Sequence, residues 1–139
     1  MTVSSVFHTN ILLADYHVGE QFFFKDALEK IPGSFNLTVV RNGVELMDLL
    51  NHQNSQVPDV LFLELIMPLK DGFECLAEIN KNQKLKQLKV IIFSTFNCHA
   101  ELIEELYKNG AQLFVRKPED ITEYKTAIYQ ALQLKKTHK

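Results

Sequence analysis

Four apolar segments of this sequence each run into a residue suited to phosphoryl or metal chemistry. Ile11-Leu-Leu-Ala14 meets Asp15, Val60-Leu-Phe-Leu63 meets Glu64, Val90-Ile-Ile-Phe93 meets Ser94-Thr95, and Leu113-Phe-Val115 leads to Lys117-Pro118. One polar residue at the start of a loop is ordinary. Two carboxylates, a hydroxyl and an ammonium delivered by four segments are much less so. In such company a carboxylate can attack phosphorus, a divalent cation can neutralise developing charge, and lysine and hydroxyl donors can hold phosphoryl oxygens.

Those residues converge only if the segments are neighbouring strands. Between them lie stretches with helical periodicity. Val18 to Ile31 carries Phe24, Leu28 and Ile31, and ends at Pro32-Gly33. Leu37-Thr-Val-Val-Arg41 reads as a second strand, and Asn42-Gly43 opens a helix with Val44, Met47 and Leu50 inward. A helix from Gly72 to about Asn80 presents Phe73, Leu76 and Ala77, and 80–89 reads as a loop. A helix from about Cys98 to Asn109 carries Leu102, Ile103 and Leu106, with Gly110 as its C′ residue. Asp120-x-x-Glu123 opens the last helix, with Ile121, Tyr124, Ile128 and Leu132 inward. Strict alternation of strand and helix implies an α/β fold, a doubly wound five-stranded parallel sheet with five helices on its two faces. The strand order expected is 2-1-3-4-5, flavodoxin-like, in which ligands bind at the carboxyl ends of the strands.

Composition narrows the function classes. The chain has 139 residues, enough for one core, and a net charge of −2 that draws it toward neither nucleic acid nor anionic lipid. No apolar run approaches a membrane span, and the N-terminus lacks the pattern of a signal peptide. Cys75 and Cys98 lack CxxC spacing and read as reduced thiols inside regular elements, which points to a cytoplasmic protein. The five histidines show no ligand spacing, so a metal-centred enzyme is disfavoured.

Together ILLADY at 11–16, DVLFLELIMPLKDG at 59–72, VIIFST at 90–95 and FVRKP at 114–118 resemble the receiver domain of bacterial response regulators. The resemblance covers a domain at 9–136, leaving an N-terminal extension at 1–8 and a tail at 137–139. RNGVELMDLL at 41–50 and the Phe-rich first helix look most like stand-alone receivers. In that family a strand-three Asp takes phosphate from a histidine kinase, and two acids after strand one hold Mg²⁺. The resemblance then implies Ser94 as the hydroxyl, Lys117 as the lysine before a cis proline, Phe114 as the aromatic that reports the state, and Asp15 as the first acid.

Two positions depart. Glu64 stands at the phosphoacceptor position, its carboxylate about 1–1.5 Å farther out than that of Asp. Tyr16 replaces the second acid, so the metal set of Asp15, Tyr16, Glu64 and the Ile66 carbonyl is depleted, and Mg²⁺ is expected to bind weakly or not at all. The expectation is a non-enzymatic pseudo-receiver of phosphorelay signalling, held by a Glu64–Lys117 ion pair with the Tyr16 phenol bonded to Glu64. Its partners would be a histidine kinase, a phosphotransfer protein or a downstream signalling protein, with a weak homodimer possible and neither nucleic acid nor membrane involved. The alternatives are a receiver phosphorylated slowly on another acid such as Asp15, and a flavodoxin-like ligand binder. The binder lacks a phosphate loop after the first strand, where DYHVGEQ stands. Phe22, Phe23 and Phe96 are candidate partner contacts. For Phe22-Phe23-Phe24 the plain expectation is two rings buried and one partly exposed, since they span about 200° of a helix.

Overall fold

A computed structural model describes residues 8–52 and 56–134. Residues 1–7 of the expected extension and the expected tail at 137–139 lie outside the described residues, and His8, expected in the extension, is the first residue of the first strand. Strands β1 (His8–Ala14), β2 (Ser34–Val40), β3 (Val60–Leu63), β4 (Lys89–Ser94) and β5 (Leu113–Arg116) form one sheet. Every pairing is parallel, in the order β2-β1-β3-β4-β5. Five helices connect and follow them: α1 (Val18–Glu29), α2 (Gly43–Asn51), α3 (Gly72–Lys81), α4 (Ala100–Lys108) and α5 (Tyr124–Gln133). The doubly wound, flavodoxin-like sheet is the one expected.

The central strands are buried along their whole length because helices cover both faces, so β3 and β4 read as unbroken apolar runs rather than alternations. Side chains still alternate between two cores. Leu12, Leu61, Leu63, Val90 and Ile92 face α2, α3 and α4 through Leu46, Met47, Cys75, Leu76 and Leu106. Ile11, Leu13, Phe62, Ile91 and Phe93 face α1 and α5 through Phe24, Leu28, Tyr124 and Ile128. At the centre of the second core Phe62 meets Phe24 and Phe93 edge-to-face, with ring centroids 4.9 and 5.8 Å apart. Burying each such ring contributes about 1.5–3 kcal/mol.

Helix starts follow local polar chemistry. Asn42 Oδ1 accepts from Glu45 N at 2.8 Å, and Asp71 forms a capping box with Glu74 ahead of α3. Gly110 follows α4 with φ +102, the left-handed residue expected there.

Several local expectations need correction. Val44 and Ile121 are exposed, because the buried stripe of α2 runs through Leu46, Met47 and Leu50, and Ile121 sits in a 3-10 turn before α5. Asp120 caps that turn by accepting from Thr122 N, so α5 proper starts only at Tyr124. Residues 80–89 include a 3-10 turn at Gln83–Leu85, and both Leu85 and Leu88 are buried, so the segment is anchored. Cys98 precedes α4, because His99 is its N-cap. Of the three adjacent phenylalanines only Phe24 is fully buried. Phe23 is half-buried against Tyr124, and Phe22 is exposed, because α1 lies on the sheet by a narrow stripe.

Candidate functional site

The sheet ladder extends one residue past the strands into the polar cluster. Asp15 N donates to Val40 O at 3.0 Å, Glu64 N to Ala14 O at 3.0 Å, and Lys117 N to Ser94 O at 2.8 Å. These backbones are therefore fixed by the sheet before their side chains meet. Gly72 N closes the loop after β3 on Leu65 O at 2.8 Å. A Cβ at Gly72 would lie 2.4 Å from Glu64 O, so only glycine lets α3 start this close to the site.

Asp15, Glu64, Ser94 and Lys117 come together, all buried. Glu64 is 1% exposed and its carboxylate accepts from five donors. Oε2 takes Leu65 N at 2.7 Å, Ile66 N at 3.2 Å and the Ser94 hydroxyl in a short contact. Oε1 takes Thr95 N at 3.3 Å and Lys117 Nζ at 3.0 Å. The Lys117 ammonium also makes a short ion pair with Asp15 Oδ2, and Asp15 Oδ1 accepts from His17 N at 2.9 Å. The expected Glu64–Lys117 pair is thus present, with Asp15 sharing the ammonium.

Charge is divided unequally between the two acids. Burial works to raise the Glu64 pKa, but Lys117, the Ser94 hydroxyl and the Ile66 amide outweigh it and hold it below the usual value. On Asp15 burial dominates and the pKa is raised in spite of Lys117, with the Glu64 charge adding to the rise. Burial likewise works to lower the Lys117 pKa, but Asp15 and Glu64 overcome it and the ammonium titrates above its ordinary range. Glu64 holds the negative charge most firmly, and Asp15 is the acid that takes up a proton first.

Tyr16 does not bond Glu64, contrary to expectation. It is 39% exposed, with its ring centroid 4.0 Å from that of His17, and Glu64 is saturated by other donors. The Lys117–Pro118 bond is trans, the isomer that X-Pro amides favour by about 0.5–1 kcal/mol, and not the cis form the resemblance implied. Thr95 is exposed and contributes its backbone amide. Phe96 is partly exposed, edge-on to Phe73 at 6.4 Å, and its amide donates to Ser94 Oγ at 3.0 Å. Phe114 is half-buried against the core under α4, and Ile66 is exposed.

Three participants were not anticipated. Glu20 in the first turn of α1 lies with Oε1 3.6 Å from Lys117 Nζ, and it accepts a short hydrogen bond from the buried Tyr124 hydroxyl. Gln21 Nε2 donates to the Asp15 carbonyl at 2.6 Å. A first-turn Glu five residues after Asp15 was the available signal, but nothing local ties it to Tyr124, 104 residues away.

The donor set does not fit Mg²⁺. The ion requires near-octahedral oxygen ligands at about 2.0–2.1 Å. Here an ammonium lies between Asp15 and Glu64, every Glu64 oxygen is already engaged, and the phenol at position 16 carries no formal charge.

Comparison with known proteins matches residues 11–129 to the response regulator receiver domain. Response regulator Rcp1 of Synechocystis sp. is 31% identical over 105 residues, 71% of each chain. The probable transcriptional regulator ycf29 of Pyropia yezoensis is 30% identical over 98 residues, of which this chain spans 42% of the relative's length. Among solved structures, Mn²⁺-bound Rcp1 superposes with a TM-score of 0.81 at 22% identity, covering 94% of this chain and 99% of that one. The phosphorylated cyanobacterial phytochrome response regulator RcpA gives 0.81 at 26% identity, covering 91% and 95%.

Proposed function

The chain belongs to the response regulator receiver family of two-component signalling, and from that premise we propose that it is a receiver switched without phosphate. The single observation that carries this is the saturation of Glu64. Two backbone amides of its own loop, the Thr95 amide, the Ser94 hydroxyl and the Lys117 ammonium form a cradle of donors such as a phosphoryl group requires. The Glu64 carboxylate fills that cradle from within. It carries less charge and fewer acceptor oxygens than a phosphate, and imitates it in part.

Ser94 is drawn onto Glu64 and Phe114 packs inward, so the state held is the one with the strand-four hydroxyl engaged. Mg²⁺ binds weakly if at all, for the donor-set reason given above. Asp15 is a poor second phosphoacceptor, since it is 1% exposed and both its oxygens are bonded. A signalling domain of this kind acts in the cytoplasm through protein contacts, with a histidine kinase, a phosphotransfer protein or a downstream partner. A weak homodimer is compatible with that role. No helix among the described residues is long and apolar enough to cross a membrane.

The test is intact-mass measurement after incubation with Mg²⁺ and acetyl phosphate. The wild-type chain stays unmodified, E64D alone recovers little label, and E64D with Y16D recovers Mg²⁺-dependent label. A stoichiometric adduct on the wild-type chain would overturn the proposal. Equal labelling of the single and double variants would remove Tyr16 from it.

A further inference from the structure

The two edges of the sheet are finished differently. β5 has four residues, one of them Arg116, and its outward amide at Phe114 donates to the Tyr107 hydroxyl at 3.0 Å. Short, charged and partly covered edges resist further strand pairing. β2 has seven residues, Ser34-Phe-Asn-Leu-Thr-Val-Val40, with no charge and no proline. Its one strand neighbour among the described residues is β1.

A single bond settles which backbone groups of β2 point outward. Val40 O accepts from Asp15 N, so Val40 and every second residue before it turn their polar groups toward β1. Phe35, Leu37 and Val39 therefore direct N–H and C=O away from the sheet. No loop or side chain among the described residues bonds these groups. The open stretch ends at Arg41, whose outward amide is taken by the Glu45 carboxylate at 2.8 Å. The side chains of the same three residues lie on the α1 face of the sheet, Phe35 and Leu37 half-buried and Val39 37% exposed.

An antiparallel copy of β2 centred on Leu37 matches this edge. Phe35 then lies opposite Val39 of the second copy and Leu37 opposite its own equivalent, each pair exchanging two backbone bonds. These are aromatic with β-branched and leucine with leucine, apolar pairs of the kind that stabilise adjoining strands. On the other face Asn36 meets Thr38, a carboxamide beside a hydroxyl. Lys30 and Arg41, which flank the strand in sequence, are each paired within their own chain, with Asp26 and Glu45, so no free like charges oppose the approach. A two-fold pairing closes on itself and stops at a dimer.

We propose that β2 is a self-pairing edge that joins two copies of this chain antiparallel about Leu37. The strand alone carries this, and it does not depend on whether Glu64 replaces phosphate.

So short an edge makes a small interface, and the dimer should form at about 0.01–1 mM. Sedimentation velocity of the full chain should show monomer giving way to dimer across that range. Amide exchange at Phe35, Leu37 and Val39 should slow by about threefold or more over the same range, while Thr38, whose amide faces β1, stays constant. Val39→Lys places a charge opposite Phe35 and should abolish the dimer. Val39→Pro removes one outward donor without touching the β1 ladder, and should do the same. In a Cys98→Ser background, Asn36→Cys mixed with Thr38→Cys should crosslink about threefold or more above either variant alone, because only the mixed pair lies opposite, with Cα atoms about 4.5 Å apart. A dimer unchanged by both Val39 variants, or equal crosslinking of mixed and single variants, would overturn the proposal. A chain still monomeric at about 1 mM would overturn it too, and leave the edge to a strand of another protein.

Discussion

At the scale of single residues, one extra methylene decides how the site is filled. An Asp at position 64 would leave the donors of Ile66, Ser94 and Thr95 short of an acceptor, whereas Glu64 reaches them itself. Removing that carboxylate therefore leaves buried donors unpaired, at about 1–3 kcal/mol for each group left without water or partner. Glu64→Ala should melt well below wild type, and formate or inorganic phosphate should then restore part of the lost melting temperature by occupying the cradle. Thermal melts with and without the anion check this. An equal anion effect on both proteins would mean that no cradle exists. The site residues Asp15, Glu64, Ser94 and Lys117 were legible in the sequence because the first three follow an apolar run directly and Lys117 follows one after a single residue, and a parallel sheet brings such positions to one edge. Glu20 and Tyr124 were not, because the first turn of α1 and the first residue of α5 meet only after the helices pack. The outward turn of Tyr16 was equally hidden, since it depends on how many donors already surround Glu64.

At the scale of elements, the segment from β3 to α3 carries an unusual conformation close to the site. Leu69 has φ +72, and Lys70 N donates to Pro68 O at 2.8 Å, which makes a γ-turn centred on a non-glycine residue. A left-handed conformation costs an L-residue about 1–2 kcal/mol. Its neighbours hold it there: Pro68 has a fixed φ, the Lys70 ammonium pairs with Glu78, and Asp71 caps α3. Leu69 itself is 79% exposed and gains little from burial. Leu69→Gly should thus raise stability by about 0.5–1 kcal/mol, the relief of strain less the greater entropy glycine has in the unfolded chain. Urea midpoints measure it, and a loss of stability would show that the leucine side chain makes contacts that outweigh the strain. Helix and strand types were readable from periodicity and punctuation, and β3 falls on the expected residues. Boundaries failed where tertiary contacts set them. β4 begins at Lys89, whose buried Nζ donates to the carbonyls of Ala131, Leu132 and Leu134 at the end of α5. A lysine at a loop edge gives no local sign of that role.

At the scale of the whole molecule, two cores share one sheet, and the polar cluster is buried between them at the carboxyl ends of the strands, so its protonation bears on global stability. Glu64 has a lowered pKa in the folded chain, so its contribution is present above the ordinary 4.5 and lost as pH falls through the lower folded value. Asp15 has the opposite sign. Its raised pKa favours the folded state below the ordinary 3.8, and that advantage disappears as pH rises through the folded value. The two act in opposite senses in acid solution. Lys117, raised above the ordinary 10.5, stabilises until pH climbs through its folded value, so the wild-type chain should show a plateau bounded by an acid and an alkaline fall. Lys117→Met removes the shared cation and leaves two buried carboxylates facing each other. Breaking a buried pair in this way costs about 3–5 kcal/mol at neutral pH. Each remaining carboxylate then gains from protonation, so the variant should gain stability more steeply than the wild type as pH falls from 7 toward 5. Urea midpoints across that interval separate the two profiles. A Lys117→Met profile parallel to that of the wild type would mean that the carboxylates are not electrostatically coupled through this lysine.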